Sequence, residues 1–249
     1  MCTLILLRRS DAPWPLVLAA NRDEMAGRAW APPGRHWPDR PEVVAGLDEL
    51  AGGSWLGVND HGVVAAILNR VGTLGPEAGK RSRGELVLEA LDHADAADAV
   101  DALVHLEARS YRPFNMVVAD NRDAFWLRAD GRRVTAHPVG DGVHMLTAMD
   151  LDDPASPRVA AYLPRARALA PPDPDRGDWG GWPALLADGG GGADGEEMPA
   201  MCFARPDGFG TVSASLIALP APAVEPRPPV WLFAAGRPDR AEFSSIPMA

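Results

Sequence analysis

The sequence predicts a mixed α+β fold built on mostly antiparallel sheets. Short apolar runs separated by turn residues recur along the chain and predict hairpins. Two helical segments follow the first strands, and a third helix lies between later groups of strands. Because this order lacks the regular strand–helix–strand alternation of a parallel sheet, we expect the helices to pack outside antiparallel sheets.

The first hairpin ends in a polar cluster. An apolar run over residues 3–9 is followed by a turn at 11–13 and a second apolar run over 15–20. The second strand is predicted to end at residues 21–24, which read Asn-Arg-Asp-Glu. Four adjacent polar residues beside a buried strand cost free energy unless they are paired, so they mark a candidate site.

A second hairpin also ends in an amide side chain. Residues 31–41, rich in Pro, Trp and Arg, are predicted to form a loop. Gly-Gly-Ser-Trp-Leu-Gly occupies 52–57, and Asn-Asp-His-Gly at 59–62 predicts a turn. The apolar run 63–68 then predicts a strand that stops at Asn69.

Helices are predicted in the middle of the chain. Ser82 and Glu85 match a capping box, which predicts a helix start at Ser82. A second helix is predicted to begin after Asp95. Further strands are predicted at residues 114–119, 124–127, 143–147, 201–204, 211–219 and 230–234.

A third helix is predicted to begin at Ser156-Pro157, because proline is favoured at the first helical position. It is expected to reach about residue 169 and to bend or break at Pro164.

The chain is predicted to be one domain over residues 1–249. A Pro- and Gly-rich stretch at about 170–199 is expected to be a flexible surface excursion, with one short helix near 182–186. The sequence contains no phosphate-binding glycine loop and no internal repeat.

Composition excludes several classes of protein. The net charge of −10 argues against a nucleic-acid surface. No apolar run approaches the ~20 residues of a membrane helix, and the first charges follow the first apolar stretch, the reverse of a secretory signal. We therefore expect a cytoplasmic protein. The use of arginine almost in place of lysine is typical of a GC-rich bacterial coding sequence.

Cysteine usage excludes a metal cluster but indicates a nucleophile. Cys2 and Cys202 are too few and too far apart for a disulfide framework or a zinc site, so no resident metal or cofactor is expected. If Met1 is removed, Cys2 carries a thiol and a free α-amine on one carbon. The amine titrates near ~7.7–8.0 and can accept the thiol proton. The alternative is a small apolar residue that opens a buried strand.

The motifs form a recognisable set. In chain order they are the N-terminal Cys2, Asn-Arg-Asp-Glu at 21–24, Gly-Gly-Ser-Trp-Leu-Gly at 52–57, Leu-Asn at 68–69 and Arg-Gly-Glu-Leu-Val at 83–87. In this combination the chain resembles the NRDE family, whose eukaryotic member is the transport and Golgi organisation 2 homologue. The resemblance is strong over residues 2–120 and looser as far as 211. It implies the four-layer αββα sandwich of the N-terminal nucleophile (Ntn) hydrolases, with similarity to the group that contains penicillin V acylase and bile salt hydrolase.

The resemblance also implies roles for individual residues. Cys2 would be the nucleophile, Asp23 would hold its α-amine, and Arg22 would favour the thiolate. Asn69 matches a position that donates to the oxyanion in such hydrolases. Structural alternatives stand beside these roles: Arg22 and Asp23 could be an ion pair that closes a hairpin, and Asn69 could be a turn amide.

Two positions depart from the pattern. Where the Ntn amidases carry Thr-Asn, this chain has Thr147-Ala148. Where the family has Tyr-Gly-Thr-Arg, residues 209–212 of this chain read Phe-Gly-Thr-Val, so Val212 replaces the arginine. In the hydrolases, the side chains at those positions help to hold the site and the substrate amide together. The oxyanion hole of this chain is therefore expected to have fewer stabilising groups.

Two functions therefore stand open. The first is hydrolysis of the C–N amide bond of a small amphipathic molecule, with Asn21, Trp30 and Trp55 as candidate substrate contacts. The second is a non-catalytic carrier on the same scaffold. Because the family has been linked to haem handling and lipid metabolism, haem or a lipid would be its ligand. His36, His61 and His144 are candidate haem contacts by residue type alone.

Overall fold

The computed structural model describes residues 2–191, 199–222 and 227–248. Its strands form two antiparallel sheets. In spatial order, the first sheet contains β10 (Gly142–Leu146), β1 (Thr3–Arg8), β2 (Leu16–Met25), β11 (Phe209–Leu219), β12 (Val230–Ala234) and β13 (Phe243–Ser245). The second contains β3 (Trp30–Gly34), β4 (Val43–Asp48), β5 (Leu56–Asn59), β6 (Val64–Asn69), β7 (Phe114–Ala119), β8 (Ala124–Ala129) and β9 (Val134–Pro138). The helices are α1 (Gly84–Leu91), α2 (Ala96–Leu103), α3 (Pro157–Ala168) and α4 (Trp182–Leu186).

The two sheets pack face to face with helices on both outer sides. Side chains alternate between the faces of a strand, so Leu4 and Leu6 of β1 enter the core between the sheets, whereas Ile5 points to the side of α3 and α4. On the other side α1 and α2 cover the second sheet, for example through Leu86 and Leu103. The layer order is therefore αββα, and the predicted fold class is confirmed.

Several predicted element boundaries are confirmed. Asp95 is the N-cap of α2, and its side chain accepts a hydrogen bond from the amide of Asp98. Ser156 caps α3 in the same way, through the amide of Val159. The predicted end of the second strand at residues 21–24 agrees with the structure, in which pairing with β11 carries β2 to Met25. The prediction of a break at Pro164 was wrong, because the helix continues through this residue to Ala168.

Other predictions were wrong for identifiable reasons. The capping box at Ser82 does not form: α1 begins at Gly84, and Glu85 instead accepts a hydrogen bond from the hydroxyl of Tyr111 at 2.6 Å. No strand forms at 201–204 beyond one isolated bridge at Ala204.

The strands missed from the sequence lack a clear alternating pattern. β3 overlaps the start of the predicted Pro-rich loop and pairs irregularly with β4 at the edge of its sheet, where proline is tolerated. β4, β9 and the short β13 were not predicted either.

The predicted excursion at 170–199 differs from the structure over its first part. Trp179, Trp182 and Leu186 are buried against the first sheet, and α4 has the predicted bounds. Their apolar surface holds this stretch on the core despite its Pro and Gly content. Residues 192–198 lie outside the described residues.

Candidate active site

Strand β2 carries the polar cluster through the centre of the first sheet. It pairs with β1 on one side and β11 on the other. Because side chains alternate along a strand, Arg22 faces the space between the sheets, where it lies against Trp55. Asn21 and Asp23 face the opposite layer, where they contact the chain around α4 and α3 respectively. Neighbours in sequence thus serve different sides of the sheet.

Cys2 is held against the backbone of β2. The β1–β2 register pairs Thr3 with Asn21, which brings Cys2 beside Arg22 and Asp23. The amide of Asp23 donates to Cys2 Sγ at 3.4 Å, and the thiol lies 3.5 Å from the Asp23 carbonyl oxygen, to which it can donate. The sulfur therefore has a fixed position in the cavity described below.

The Asp23 carboxylate joins four parts of the fold. Its side chain is fully buried. Thr211 Oγ1 of β11 donates to Oδ1 at 2.8 Å, and Arg158 Nη1 of α3 donates to Oδ2 at 3.1 Å. The same Nη1 donates to Thr3 Oγ1 at 2.6 Å. Asp23 thus fixes β1, β2, β11 and α3 around Cys2.

Arg158 was missed by the sequence reasoning. It lies in the first turn of α3, where a cation is disfavoured by the helix dipole. That local mismatch was the available signal. Val212, which stands where the family carries arginine, is the extra residue of a β-bulge between Thr211 and Ser213. A cation reaches the site, but from a helix instead of this strand.

Arg22 is a buried cation held by aromatic rings. Its guanidinium carbon lies 4.1 Å from the ring centre of Trp55 and 6.0 Å from that of Trp30. The residue is 6% exposed, and its Nη1 has no hydrogen-bond partner within the described residues. Burial lowers the pKa of Arg22 from its ordinary value. The Arg22–Asp23 ion pair, the structural alternative to their catalytic roles, does not form, since the two side chains lie on opposite faces of β2.

The electrostatics around Cys2 favour the neutral thiol. Burial of the sulfur raises the pKa of Cys2, and the Asp23 carboxylate raises it further. Arg22 acts in the opposite direction but more weakly. A thiolate at neutral pH therefore requires a base that Arg22 does not supply.

One cavity of about 280 Å³ contains the candidate nucleophile. Its walls come from β2, from the connection between β4 and β5, and from the segment between β6 and α1. The lining residues are Cys2, Arg22, Asp23, Glu24, Arg28, Asp48, Ala51, Ser54, Trp55, Ile67, Asn69, Gly75, Pro76, Glu77, Lys80, Arg81, Ser82, Arg83, Gly84 and Arg112.

The structure brings most of the predicted site residues together at this cavity. Asn69 is the last residue of β6 and lines the cavity with Cys2. Trp55 also lines it, and Trp30 packs edge-on against Trp55 with ring centres 5.9 Å apart. Asn21 borders a small adjoining hollow of about 20 Å³, and its amide group donates to the carbonyls of Leu186 and Met201.

The two glycine-containing motifs touch each other. A Cβ on Gly53 would lie 2.5 Å from the backbone of Gly84. The amide of Ser54 donates to the Gly84 carbonyl oxygen at 3.0 Å. The absence of a side chain at Gly53 therefore allows the start of α1 to approach the β4–β5 connection and close one wall of the cavity.

The segment around Ala148, where the Ntn amidases carry an asparagine, is held by Asn115. Asn115 of β7 is fully buried, and its amide group donates to the carbonyls of Thr147 and Met149 at 3.0 and 2.6 Å. Since both contacts use the donors of one side chain, Asn115 cannot replace the amide lost at Ala148 as an oxyanion donor.

The candidate haem contacts are elsewhere. His144 Nδ1 lies 2.7 Å from Asp152 Oδ2, and His36 Nε2 lies 2.8 Å from a backbone carbonyl. Neither they nor His61 border the Cys2 cavity over the described residues.

Among the described residues, no group of three or more His, Cys, Asp or Glu residues is placed to hold a metal ion. No described helix is long and apolar enough to cross a bilayer.

Three solved structures share the fold of this chain. An N-acylethanolamine-hydrolyzing acid amidase ortholog from Caenorhabditis elegans gives a TM-score of 0.57 at 13% identity, covering 99% of this chain and 100% of that one. Penicillin V acylase from Agrobacterium tumefaciens gives 0.51 at 14% identity, with coverages of 94% and 83%. A variant of conjugated bile acid hydrolase from Clostridium perfringens gives 0.52 at 12%, with coverages of 98% and 96%. At these identities the likeness shows an Ntn-hydrolase-like fold alone.

Sequence relatives identify the family. The bovine Transport and Golgi organization protein 2 homolog is 38% identical over 118 residues, and the human one is 37% identical over 118. Each alignment covers 45% of this chain and 41% of the relative, so it spans less than half the length of these relatives. Both are mammalian, which gives no support to the predicted bacterial origin. The family model described as Transport and Golgi organisation 2 matches residues 1–162. This match covers more than half of the sequence, and the chain therefore belongs to the Transport and Golgi organisation 2 family.

Proposed function

We propose that this protein is an Ntn-type hydrolase that cleaves the C–N amide bond of a small amphipathic molecule, with Cys2 as the nucleophile. The observation that carries the proposal is the position of Cys2 Sγ, bound to the backbone of Asp23 in the lining of a cavity that also contains Arg22 and Asn69. The cytoplasmic location expected from the sequence belongs to the same proposal.

The reaction needs an internal base, which removal of Met1 would provide. The raised pKa of Cys2 keeps the thiol protonated, so its proton must pass to the freed α-amine as the sulfur attacks the substrate carbonyl. Asn69 donates to the oxyanion that forms. When the C–N bond breaks, the α-ammonium returns the proton to the leaving amine, and water then hydrolyses the thioester.

Arg22 and Asp23 have separate tasks in this mechanism. Arg22 lines the cavity with Cys2 and has no carboxylate partner among the described residues, so it balances the negative charge that develops on Cys2 Sγ. Asp23, fixed by Thr211 and Arg158, orients the α-amine of Cys2. Both roles depend on positions set by the sheet.

Apolar residues near the cavity fit the amphipathic part of the substrate. The large apolar side chains that are exposed within the described residues are Met25, Leu50, Val71 and Leu74. Met25, Leu50 and Leu74 each adjoin a cavity-lining residue in sequence, and Val71 follows Asn69 by two residues. This adjacency makes them candidate contacts for an acyl chain, together with Trp55 in the cavity lining and Trp30 packed against it.

One observation favours a second candidate, a carrier of haem or lipid. Ala148 supplies no amide, and the donors of Asn115 are already used, so the oxyanion has fewer stabilising groups. A carrier would use the same cavity without chemistry. It predicts that a Cys2→Ala protein binds haem or a fatty acid as tightly as the unaltered protein does.

One mass-spectrometric experiment distinguishes the hydrolase from the carrier. The intact mass of the purified protein is measured before and after brief treatment with iodoacetamide. We expect a mass that lacks Met1 and one fast alkylation, mapped to Cys2. Cys202 is an internal control, because it is 1% exposed and burial raises its pKa. Hydrolysis is then measured on N-acyl amides with Cys2→Ser as the inactive control.

Retention of Met1 would contradict the hydrolase mechanism, because the α-amine would then be blocked in a peptide bond. Alkylation of Cys2 no faster than that of Cys202 would contradict it as well. Either result would leave the carrier as the better description of the cavity.

A further inference from the structure

The cations of the Cys2 cavity are not all neutralised by the protein. Three of them form ion pairs: Arg28 with Asp48 at 2.7 Å, Arg81 with Glu85 at 2.7 Å, and Arg112 with Glu77 at 3.4 Å. The other three, namely Arg22, Lys80 and Arg83, have no carboxylate partner within the described residues. The chain as a whole carries a net charge of −10, so these three cations give the cavity a local excess of positive charge.

Arg83 is the clearest example of a cavity cation without a carboxylate partner among the described residues. Its Nη1 donates to Thr73 Oγ1 and to the carbonyl oxygen of Pro113, both at 3.1 Å, and both acceptors are neutral. Burial, together with repulsion from Arg112, lowers the pKa of Arg83 to about 10. A half-buried cation without an anion costs free energy that a bound anion would recover.

Arg22 gives a second, independent observation. It is 6% exposed, and its Nη1 is buried without a hydrogen-bond partner within the described residues. This unused donor belongs to a guanidinium that lines the same cavity as Arg83. Cys2, Arg22 and Arg83 line the same cavity, so both cations share it with the reacting sulfur.

We propose that the cavity selects acyl amides that carry a carboxylate close to the amide bond, and that Arg83 receives this carboxylate. The inference rests on the proposed function and names its substrate class: N-acyl amino acids instead of neutral N-acyl amines. Arg22 remains with Cys2, and Arg83 supplies the charge-assisted hydrogen bonds that hold the leaving group. Lys80, whose amine donates to the Arg109 carbonyl at 2.6 Å, adds a second positive charge at the wall.

Binding is tested without turnover in the Cys2→Ala protein. The probes are N-decanoylglycine and N-methyldecanamide, which have the same acyl chain and differ in the carboxylate. Calorimetry is expected to show roughly tenfold tighter binding of N-decanoylglycine, in the range of one charge-assisted hydrogen bond. This preference should shrink as salt is added.

Substitution of Arg83 identifies the receiving group. Arg83→Gln in the Cys2→Ala background should reduce the preference to less than twofold, while Arg83→Lys keeps part of it. Arg40→Gln is the control for net charge, since Arg40 is partly exposed, lies outside the cavity lining and is paired with Asp92. Melting curves check that each variant is folded. If Arg83→Gln does not fold, the Lys variant and the salt series carry the test.

The outcomes distinguish the two proposals. Equal affinity for the two probes would overturn the carboxylate inference, and so would a preference that survives in folded Arg83→Gln. A preference for N-decanoylglycine without hydrolysis by the unaltered protein would support the anion site and count against the hydrolase. Hydrolysis of N-methyldecanamide and N-decanoylglycine at equal kcat/KM would support the hydrolase and overturn the substrate class.

Discussion

At the scale of single residues, Arg22 shows a conflict between stability and function. Removing an ion from water costs several kcal/mol even after relaxation, whereas a desolvated cation–π contact such as that with Trp55 returns about 2 kcal/mol. The balance is unfavourable for the fold. Under the proposed function, Arg22 serves the chemistry of Cys2 and not the stability of the sheet.

Replacement of Arg22 by methionine should therefore stabilise the protein. Met keeps the length of the side chain and its packing on Trp55 while it removes the charge. We expect the free energy of unfolding in urea to rise by about 1–2 kcal/mol. The rate of Cys2 alkylation should fall severalfold in the same variant. A loss of stability would show that the Trp55 contact outweighs the desolvation of the guanidinium.

Asp23 should behave in the opposite way. Asp23→Asn removes the negative charge that accepts hydrogen bonds from Arg158 and Thr211 inside the fold. The expected loss in the free energy of unfolding is about 3 kcal/mol, as for other broken buried ion pairs. Asp101→Asn on the exposed side of α2 is the control and should change stability by less than ~0.5 kcal/mol. An Asp23→Asn protein as stable as this control would contradict the structural role of the carboxylate.

At the scale of elements, the cavity depends on how closely α1 approaches the β4–β5 connection. Gly53 and Gly84 come from motifs 31 positions apart in the chain, and neither motif alone specifies the contact. The amide of Ser54 and the carbonyl of Gly84 hold the approach with one hydrogen bond. Since Arg83 directly precedes Gly84, the approach also sets the position of this cation.

Gly53→Ala tests that approach. The added Cβ would lie 2.5 Å from Gly84 and 2.8 Å from the amide nitrogen of Glu85, so α1 must move. Overpacking of this kind costs about 1–3 kcal/mol in the free energy of unfolding. The affinity of the Cys2→Ala protein for N-decanoylglycine should fall in the same variant. Gly27→Ala is the matched control, because its Cβ would have no atom within 4 Å; equal melting temperatures for the two variants would disprove the contact.

At the scale of the whole molecule, partly buried carboxylates join distant segments and make stability depend on pH. Burial alone would raise the pKa of Asp152, but hydrogen bonds from His144 and the Met145 amide hold it below its usual value. Burial is likewise outweighed at Asp188, where the Gly190 amide and Arg165 lower the pKa. Asp152 holds the turn after β10, and Asp188 the segment after α4.

Both groups should destabilise the fold in acid. Their pKa values are depressed in the folded state, so their contribution is complete above the unfolded value of ~3.9. It is lost as pH falls through the folded values. We expect urea midpoints to be constant from pH 7 to 5 and to decline below pH 4. Asp152→Asn keeps the positive-φ backbone accessible (φ 58°) and should flatten part of this decline, whereas Asp101→Asn should not.

Local patterns in the sequence predicted much of the architecture of this protein. The periodicity of the apolar runs predicted the α+β class, the paired hairpins, and the starts of α2 and α3, because these depend on local patterns and capping residues. The ordered motifs predicted the family and the αββα layers. They also named Cys2, Arg22 and Asn69, which do line one cavity.

The positions of those residues relative to one another follow from the three-dimensional arrangement of the strands and helices. Alternation along β2 sends Arg22 and Asp23 to opposite faces, which excludes the ion pair that their adjacency suggested. Arg158 reaches Asp23 across 135 positions of sequence, and Glu85 turns from its predicted cap to Tyr111. The cavity cations without a carboxylate partner among the described residues, Arg22, Lys80 and Arg83, are likewise identified only from the three-dimensional structure. Charge pairing depends on distances in space, and local sequence patterns do not encode those distances.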